Sequence, residues 1–374
     1  MKENRTIPKD LFVYDPAVYV VGEEYCIVFN TLVEGMGWIE VDGKSYVQDC
    51  CGLIPSDLKV HKAYLPMAAL DAAGSYDVVF VPVYDRKAYF PLSGERQQRT
   101  YAFRAPNPEK KDFHIYHLSD THSAVKYPAL AARFFKDDLD LVVLNGDIPN
   151  QCETMDHIMA LFALSSEITH GNIPIVFSRG NHDNRGAAAQ FYYRFTPTDH
   201  FGNPFFTFRI GKIWGIVLDC GEDKEDSHPE YGGMVNFHPF RLRETEFLHR
   251  VIAEREKEYD APGVEFRFVV CHIPLEEEWN EHEREVYTDW MAQLNHIGAD
   301  LILYGHAHRV EFMEGMRETR FGLQKAPSII GGDPRGEDYK GAALTLREDG
   351  ILLQFTDKKL SVLEEHYIKR AKRS

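Results

Sequence analysis

Five short segments hold most of the side chains with chemical potential. In chain order they are Ser119-Asp120-Thr121-His122, Asn145-Gly146-Asp147, Arg179-Gly180-Asn181-His182-Asp183, Cys271-His272-Ile273-Pro274 and Tyr304-Gly305-His306-Ala307-His308. Their aspartates, asparagine and histidines are oxygen and nitrogen donors with no thiolate among them, a set that suits hard-to-borderline divalent metals. It is large enough to hold two ions. Each segment alone has a plainer explanation. Gly-Asp is a good turn pair, Asp120-Thr121-His122 would serve as a helix N-cap ahead of residues 123–135, and His272 would be a satisfied, semi-buried side chain. Gly305-His306-Ala307-His308 says more, because alternate residues at a strand end can point toward one ion.

The elements around these segments explain why they should meet. After Lys111, short apolar strands (113–118, 139–144, 173–177, 213–218, 266–270 and 300–303) alternate with helical periodicity at 125–135, 156–168 and 241–259. That pattern predicts an α/β sheet with helices on its faces. Open α/β sheets place their sites in loops beyond the carboxyl ends of the strands. Five of the predicted strands end in the segments above, so the segments converge. From about Val13 to Phe103 the text instead alternates apolar and polar residues in short runs, as an all-β sandwich does, with Asp42-Gly43 as a two-residue hairpin turn. A Pro-containing stretch at 105–111 marks the boundary, giving domains at 1–108 and 109–374. Strand text returns at 328–368, where 342–346 and 351–355 are joined through Glu348-Asp349-Gly350. The basic tail Lys369, Arg370, Lys372 and Arg373 reads as a solvated helix end.

Composition bounds the function. The chain of 374 residues is 44% hydrophobic and 27% charged, which fits a folded protein. Lys and Arg total 42 against 58 Asp and Glu, a net charge of −16, so nucleic acid and anionic membranes are repelled on average. No apolar run is long enough to span a bilayer, and Asp10, Asp15 and Pro16 interrupt any secretory core. Cys26, Cys50, Cys51, Cys152, Cys220 and Cys271 lack disulfide or zinc spacing and read as reduced thiols, which places the protein in the cytoplasm.

In order, the five segments match the motifs Asp-x-His, Gly-Asp, Gly-Asn-His-Asp, His and Gly-His-x-His. From Phe113 onward the sequence therefore resembles the calcineurin-like metallophosphoesterase superfamily. The resemblance implies two facing mixed sheets flanked by helices, with a dinuclear metal site at their edge. It also implies that Asp120, His122 and His308 hold one ion, that Asn181, His272 and His306 hold the other, and that Asp147 bridges them. A carboxylate can ligate two cations at once, and a water between such ions becomes hydroxide near neutral pH and attacks the ester. His182 would face the phosphoryl oxygen and leaving group as donor or general acid, with Asp183 orienting its imidazole.

The layout also resembles purple acid phosphatases, in which a fibronectin-like β-domain precedes the catalytic unit. It departs from them where they carry a ferric-ligating tyrosine three residues after Gly-Asp. That position is Asn150 here, so no purple colour is expected, and manganese, ferrous iron or zinc would serve. The expected function is hydrolysis of a phosphate ester, a phosphatase or phosphodiesterase acting on a small molecule or nucleotide. The alternative is an inactive scaffold of the same fold. Arg185 is the expected phosphate contact, and His228 and Tyr231, in the 220–238 loop that is long enough to cover the site, are further candidate substrate contacts. The β-domain reads as a structural appendage packed on the catalytic unit; the alternative is that Asp85-Arg86-Lys87, or the nearby Tyr84, Tyr89 and Phe90, edge the site and help select substrate.

Overall fold

The computed structural model describes residues 10–48, 51–107, 109–334 and 337–370. Cys50, Pro108, Lys372 and Arg373 lie outside them. Five largely buried strands lead into the five segments and bring them to the carboxyl edges of two sheets. In the larger sheet Phe113–Leu118, Leu141–Asn145 and Ile175–Ser178 run parallel. In the second, six-stranded sheet Ile213–Leu218, Phe266–Cys271, Leu301–Tyr304 and Ser328–Gly332 run parallel. Continuous apolar runs such as Leu-Val-Val-Leu and Phe-Val-Val are what parallel strands covered on both faces require.

The second sheet shows how alternation divides the core. Ile213, Val217, Phe268, Val270, Leu301 and Leu303 point into the apolar space shared with the larger sheet. Their neighbours Trp214, Ile216, Leu218, Val269, Ile302 and Tyr304 point the other way. There they meet Leu248 and Val251 of the helix Phe237–Ala253 and Tyr287, Trp290, Met291 and Leu294 of the helix Arg284–Ile297. Side chains one residue apart thus fill two separate cores, each contributing ~1.5–3 kcal/mol when fully buried.

The N-terminal strands join the larger sheet. Ala17–Val21 pairs in parallel with Ile175–Ser178 through Tyr19 and Ile175, and antiparallel with the long strand Glu24–Val41. Asp42 and Gly43 both have positive φ and close the hairpin to Lys44–Val47. Arg86, in the charged stretch that the alternative reading sets at the edge of the site, donates to the Ile54 carbonyl (2.7 Å) and Ser56 Oγ (2.9 Å) within the same N-terminal region.

Three expectations change. The helix expected at 241–259 spans Phe237–Ala253, because both carboxylate oxygens of Asp226 accept from the Phe237 and His238 amides at 2.9 Å and fix an earlier start. Helix Arg284–Ile297 was not anticipated. The C-terminal tail does not continue a helix: Val362–Lys369 is a strand paired with Gly350–Asp357, and the Arg370 amide donates to the Asp349 carbonyl. Among the described residues no helix is long and apolar enough to cross a membrane.

Candidate metal centre

The five segments come together beyond the strand ends, and their backbone is strained to do so. Asp120, His122, Asp147, His306 and His308 all have φ between 44° and 66°. Non-glycine residues in this left-handed region cost ~1–3 kcal/mol each and persist where surrounding structure fixes them. Asp120 is not a helix cap: the following helix is Lys126–Ala132, with Val125 at its N-cap and no side-chain cap. Two glycines permit the closeness. A Cβ on Gly146 would lie 2.5 Å from His272 Nδ1, and one on Gly180 would lie 2.3 Å from Asp147 Oδ1.

Two donor sets form and share one carboxylate. Asp120, His122, Asp147 and His308 make one, and Asp147, His272 and His306 make the other. Asn181 joins the second set, its Oδ1 2.9 Å from His306 Nδ1. Asp120 Oδ2 accepts from Ser119 Oγ (2.7 Å) and the His306 amide (2.9 Å), and Asp147 Oδ1 accepts from the His182 amide (2.8 Å). The other oxygens, Asp120 Oδ1 and Asp147 Oδ2, are buried without a hydrogen-bond partner, as is His272 Nε2. Asp147 Oδ2 and His272 Nε2 lie 3.2 Å apart, His308 Nε2 is 3.5 Å from Asp120 Oδ1, and His122 Nε2 is 2.9 Å from His308 Nε2. Buried polar atoms are ordinarily satisfied. Unpartnered donor atoms turned toward one another are what a cation would satisfy, so these residues fit divalent metal.

The residues behind the donors fix their orientation. His272 Nδ1 donates to the Asn145 carbonyl at 2.6 Å, which leaves Nε2 to face inward. The Asn145 amide donates to His117 Nε2 (3.1 Å), the Leu303 carbonyl (3.0 Å) and the Cys271 carbonyl (3.3 Å), tying the two sheets together behind the site.

Electrostatically the donors hold one another. Burial favours neutral His272, but Asp147 and Asp120 outweigh it and raise its pKa. Burial likewise opposes charge on Asp147, yet His272 above all holds it well below the usual carboxylate range. Burial pushes Asp120 upward, against the pull of His272. A proton on His272 therefore stands where a cation would bind. Loading chelator-treated protein with Zn2+ at pH 7 should release a proton, and affinity should weaken as pH falls, because His272 stays protonated below its raised pKa. Calorimetry in buffers of different ionisation enthalpy measures this, and heats independent of the buffer would contradict it.

The structure places the remaining candidates as follows. His182 Nδ1 donates to the Asn150 carbonyl (2.6 Å), leaving Nε2 4.0 Å from Asp147 Oδ2. Asp183 is not the group that orients this ring. Its carboxylate is buried and accepts from the Gly180 and Asp147 amides (2.7 and 3.1 Å) and from the Tyr192 hydroxyl (3.1 Å), so it clamps the loops carrying Asn181 and Asp147 together. Arg185 is held by both oxygens of Glu222 (2.9 and 2.7 Å), and its Nη1 lies 3.3 Å from His182 Nε2. The Tyr231 hydroxyl is spent on Glu222 (3.1 Å) and Asp223 (3.3 Å), and His228 Nδ1 accepts from the Glu230 amide at 3.4 Å. Glu222 and Asp223 were not singled out from sequence, and Asn145 and Asn150 were named there without the part their carbonyls play in holding His272 and His182. Asn145 was signalled by its place just before Gly146-Asp147. Glu222 and Asp223 lay in a loop noted only as a whole.

Two facing mixed sheets with an oxygen- and nitrogen-lined metal cleft at their carboxyl edges define a metal-dependent phosphoesterase. Residues 113–310, just over half of the chain, match the family model for calcineurin-like phosphoesterases. The chain belongs to that family and is a metal-dependent phosphoric ester hydrolase. Solved structures similar in fold include purple acid phosphatase PPD1 isolated from yellow lupin (Lupinus luteus) seeds. It has a TM-score of 0.60 and 11% identity over 96% of this chain and 75% of that one. PhoD has a TM-score of 0.59 and 10% identity, covering 98% of this chain and 94% of that one. No curated protein matches the chain.

Proposed function

We propose that this chain is a two-metal hydrolase of phosphate esters, acting on a phosphorylated small molecule or a nucleotide, and that it works in the cytoplasm. The observation that carries this is the pair of donor sets sharing Asp147, whose Oδ2 is buried without a hydrogen-bond partner. Asp120, His122 and His308 would hold one ion, Asn181, His272 and His306 the other, and Asp147 both. Manganese, ferrous iron and zinc suit the donors. When bound, two divalent ions would polarise the phosphoryl oxygens, offset the charge of the substrate and make a water acidic enough to attack in line. In this reading residues 109–374 carry the chemistry, and the β unit at 1–108 supports it through the strand pairing at Tyr19.

The protein's own residues then act around the phosphoryl group. With Nδ1 of His182 committed to Asn150 and Nε2 3.3 Å from Arg185 Nη1, the ring in its imidazolium form would donate from Nε2 to a phosphoryl oxygen or pass that proton to the leaving oxygen. Arg185, fixed by Glu222, sets a planar donor beside that nitrogen. Tyr231 and His228 contribute by shaping the loop that carries Glu222. Arg185→Ala should keep both ions yet lower kcat/KM by ~10–100-fold, the equivalent of one charge-assisted hydrogen bond of ~1.5–3 kcal/mol. An unchanged kcat/KM would remove Arg185 from the site's function.

The test of the whole reading is a hydrolysis screen. Chelator-stripped protein and protein reconstituted with Mn2+, Fe2+ or Zn2+ are compared on monoesters, diesters, nucleotides and phosphopeptides. Metal-dependent turnover of one class is the expected result. Equal inactivity of stripped and reconstituted protein on every compound would sink the proposal in favour of a scaffold.

A further inference from the structure

We infer that Asp223 is a positioning residue for His306, fixing which ring nitrogen faces the second ion and linking that ion to the loop that holds Arg185. The inference rests on the two-ion reading above. His306 Nδ1 lies 2.9 Å from Asn181 Oδ1, and His306 shares a donor set with Asp147 and His272. Its opposite nitrogen, Nε2, lies 3.8 Å from Asp223 Oδ2. Trp279 packs edge-on against the ring, with centroids 5.0 Å apart at 72°, and His272 does so at 5.5 Å and 81°. The imidazole is thus wedged with one nitrogen among the donors and the other toward a carboxylate.

That carboxylate is itself anchored. Asp223 Oδ1 accepts from Lys224 Nζ (3.1 Å), the Tyr231 hydroxyl (3.3 Å) and Arg185 Nη2 (3.4 Å), so Oδ2 is the oxygen left for the ring. His272 and His182 present their outer nitrogens to neutral backbone carbonyls, Asn145 and Asn150. His306 presents its outer nitrogen to a charged group. A carboxylate there favours the tautomer with the proton on Nε2, which frees the Nδ1 lone pair for a cation and makes it more basic. Because the same carboxylate touches Arg185, the loop at 222–231 connects the proposed phosphate-binding arginine to a ligand of the second ion.

The test uses the full chain, stripped with chelator and titrated calorimetrically with Mn2+. Wild type should bind two ions. Asp223→Asn should weaken the second by ~10–100-fold while leaving the first unchanged, and Asp223→Glu should restore most of the loss. A second readout needs no variant to fold. In Zn2+-loaded wild type with 15N-labelled histidine, NMR should find the His306 ring proton on Nε2. Unaltered second-ion affinity in Asp223→Asn, equal weakening of both ions, or a ring proton on Nδ1 would each overturn the assignment. Uptake of only one Mn2+ by wild type would instead show that the two-ion reading had failed, and the inference with it.

Discussion

Asp147→Asn is expected to abolish uptake of one ion and to slow ester hydrolysis by at least ~10²–10³-fold, the loss typical of removing one well-placed electrostatic group. The reason lies in its two oxygens. Oδ1 is occupied by the His182 amide, Oδ2 is buried and unpartnered, and Asp147 is the residue common to both donor sets. Asparagine could keep the first bond, but it would then turn an amide N–H, a donor, toward the space the cations need. Elemental analysis after gel filtration, combined with rates on the best substrate from the screen, checks this. Two ions bound at wild-type affinity with a wild-type rate would show that no shared carboxylate is required.

His182→Ala should have an effect of similar size by a different route, lowering turnover by ~10²–10⁴-fold as expected for a lost general acid while metal content stays at the wild-type level. The imidazole belongs to neither donor set. The bond His182 makes to Asp147 comes from its backbone amide, which alanine retains. The loss should also depend on the leaving group, being large for an alkyl ester and small for a nitrophenyl ester, whose oxygen needs no proton. Loss of metal from this variant would show that the side chain is a ligand. A loss equal for both esters would exclude proton donation.

The site was legible in sequence wherever one short segment carried both the chemistry and the geometry. Asp120-x-His122 and His306-x-His308 each follow an apolar strand, and the left-handed backbone at these residues lets two nearby side chains turn the same way. Partner choice across space was not legible. Asp183 adjoins His182 in sequence, yet a 3-10 turn over His182–Asn184 aims its carboxylate back at the Gly180 and Asp147 amides, and a carbonyl 32 residues earlier holds the imidazole instead. The same limit hid the start of helix Phe237–Ala253, capped from Asp226. Helix Arg284–Ile297 has a readable apolar stripe at Val286, Tyr287, Trp290, Met291 and Leu294, but the glutamate-rich stretch 276–283 ahead of it blurs the pattern.

The order and type of the donor residues, the absence of thiolate among them and the run of buried parallel strands that precedes each are local properties, and the amino-acid sequence determines them alone. Tertiary structure decided which carboxylate oxygen is left free, which imidazole nitrogen turns inward, and that Glu222 and Asp223 reach Arg185 and His306. Those outcomes depend on directional bonds between atoms far apart in the chain, and such bonds exist only once two sheets have packed and brought their edges together.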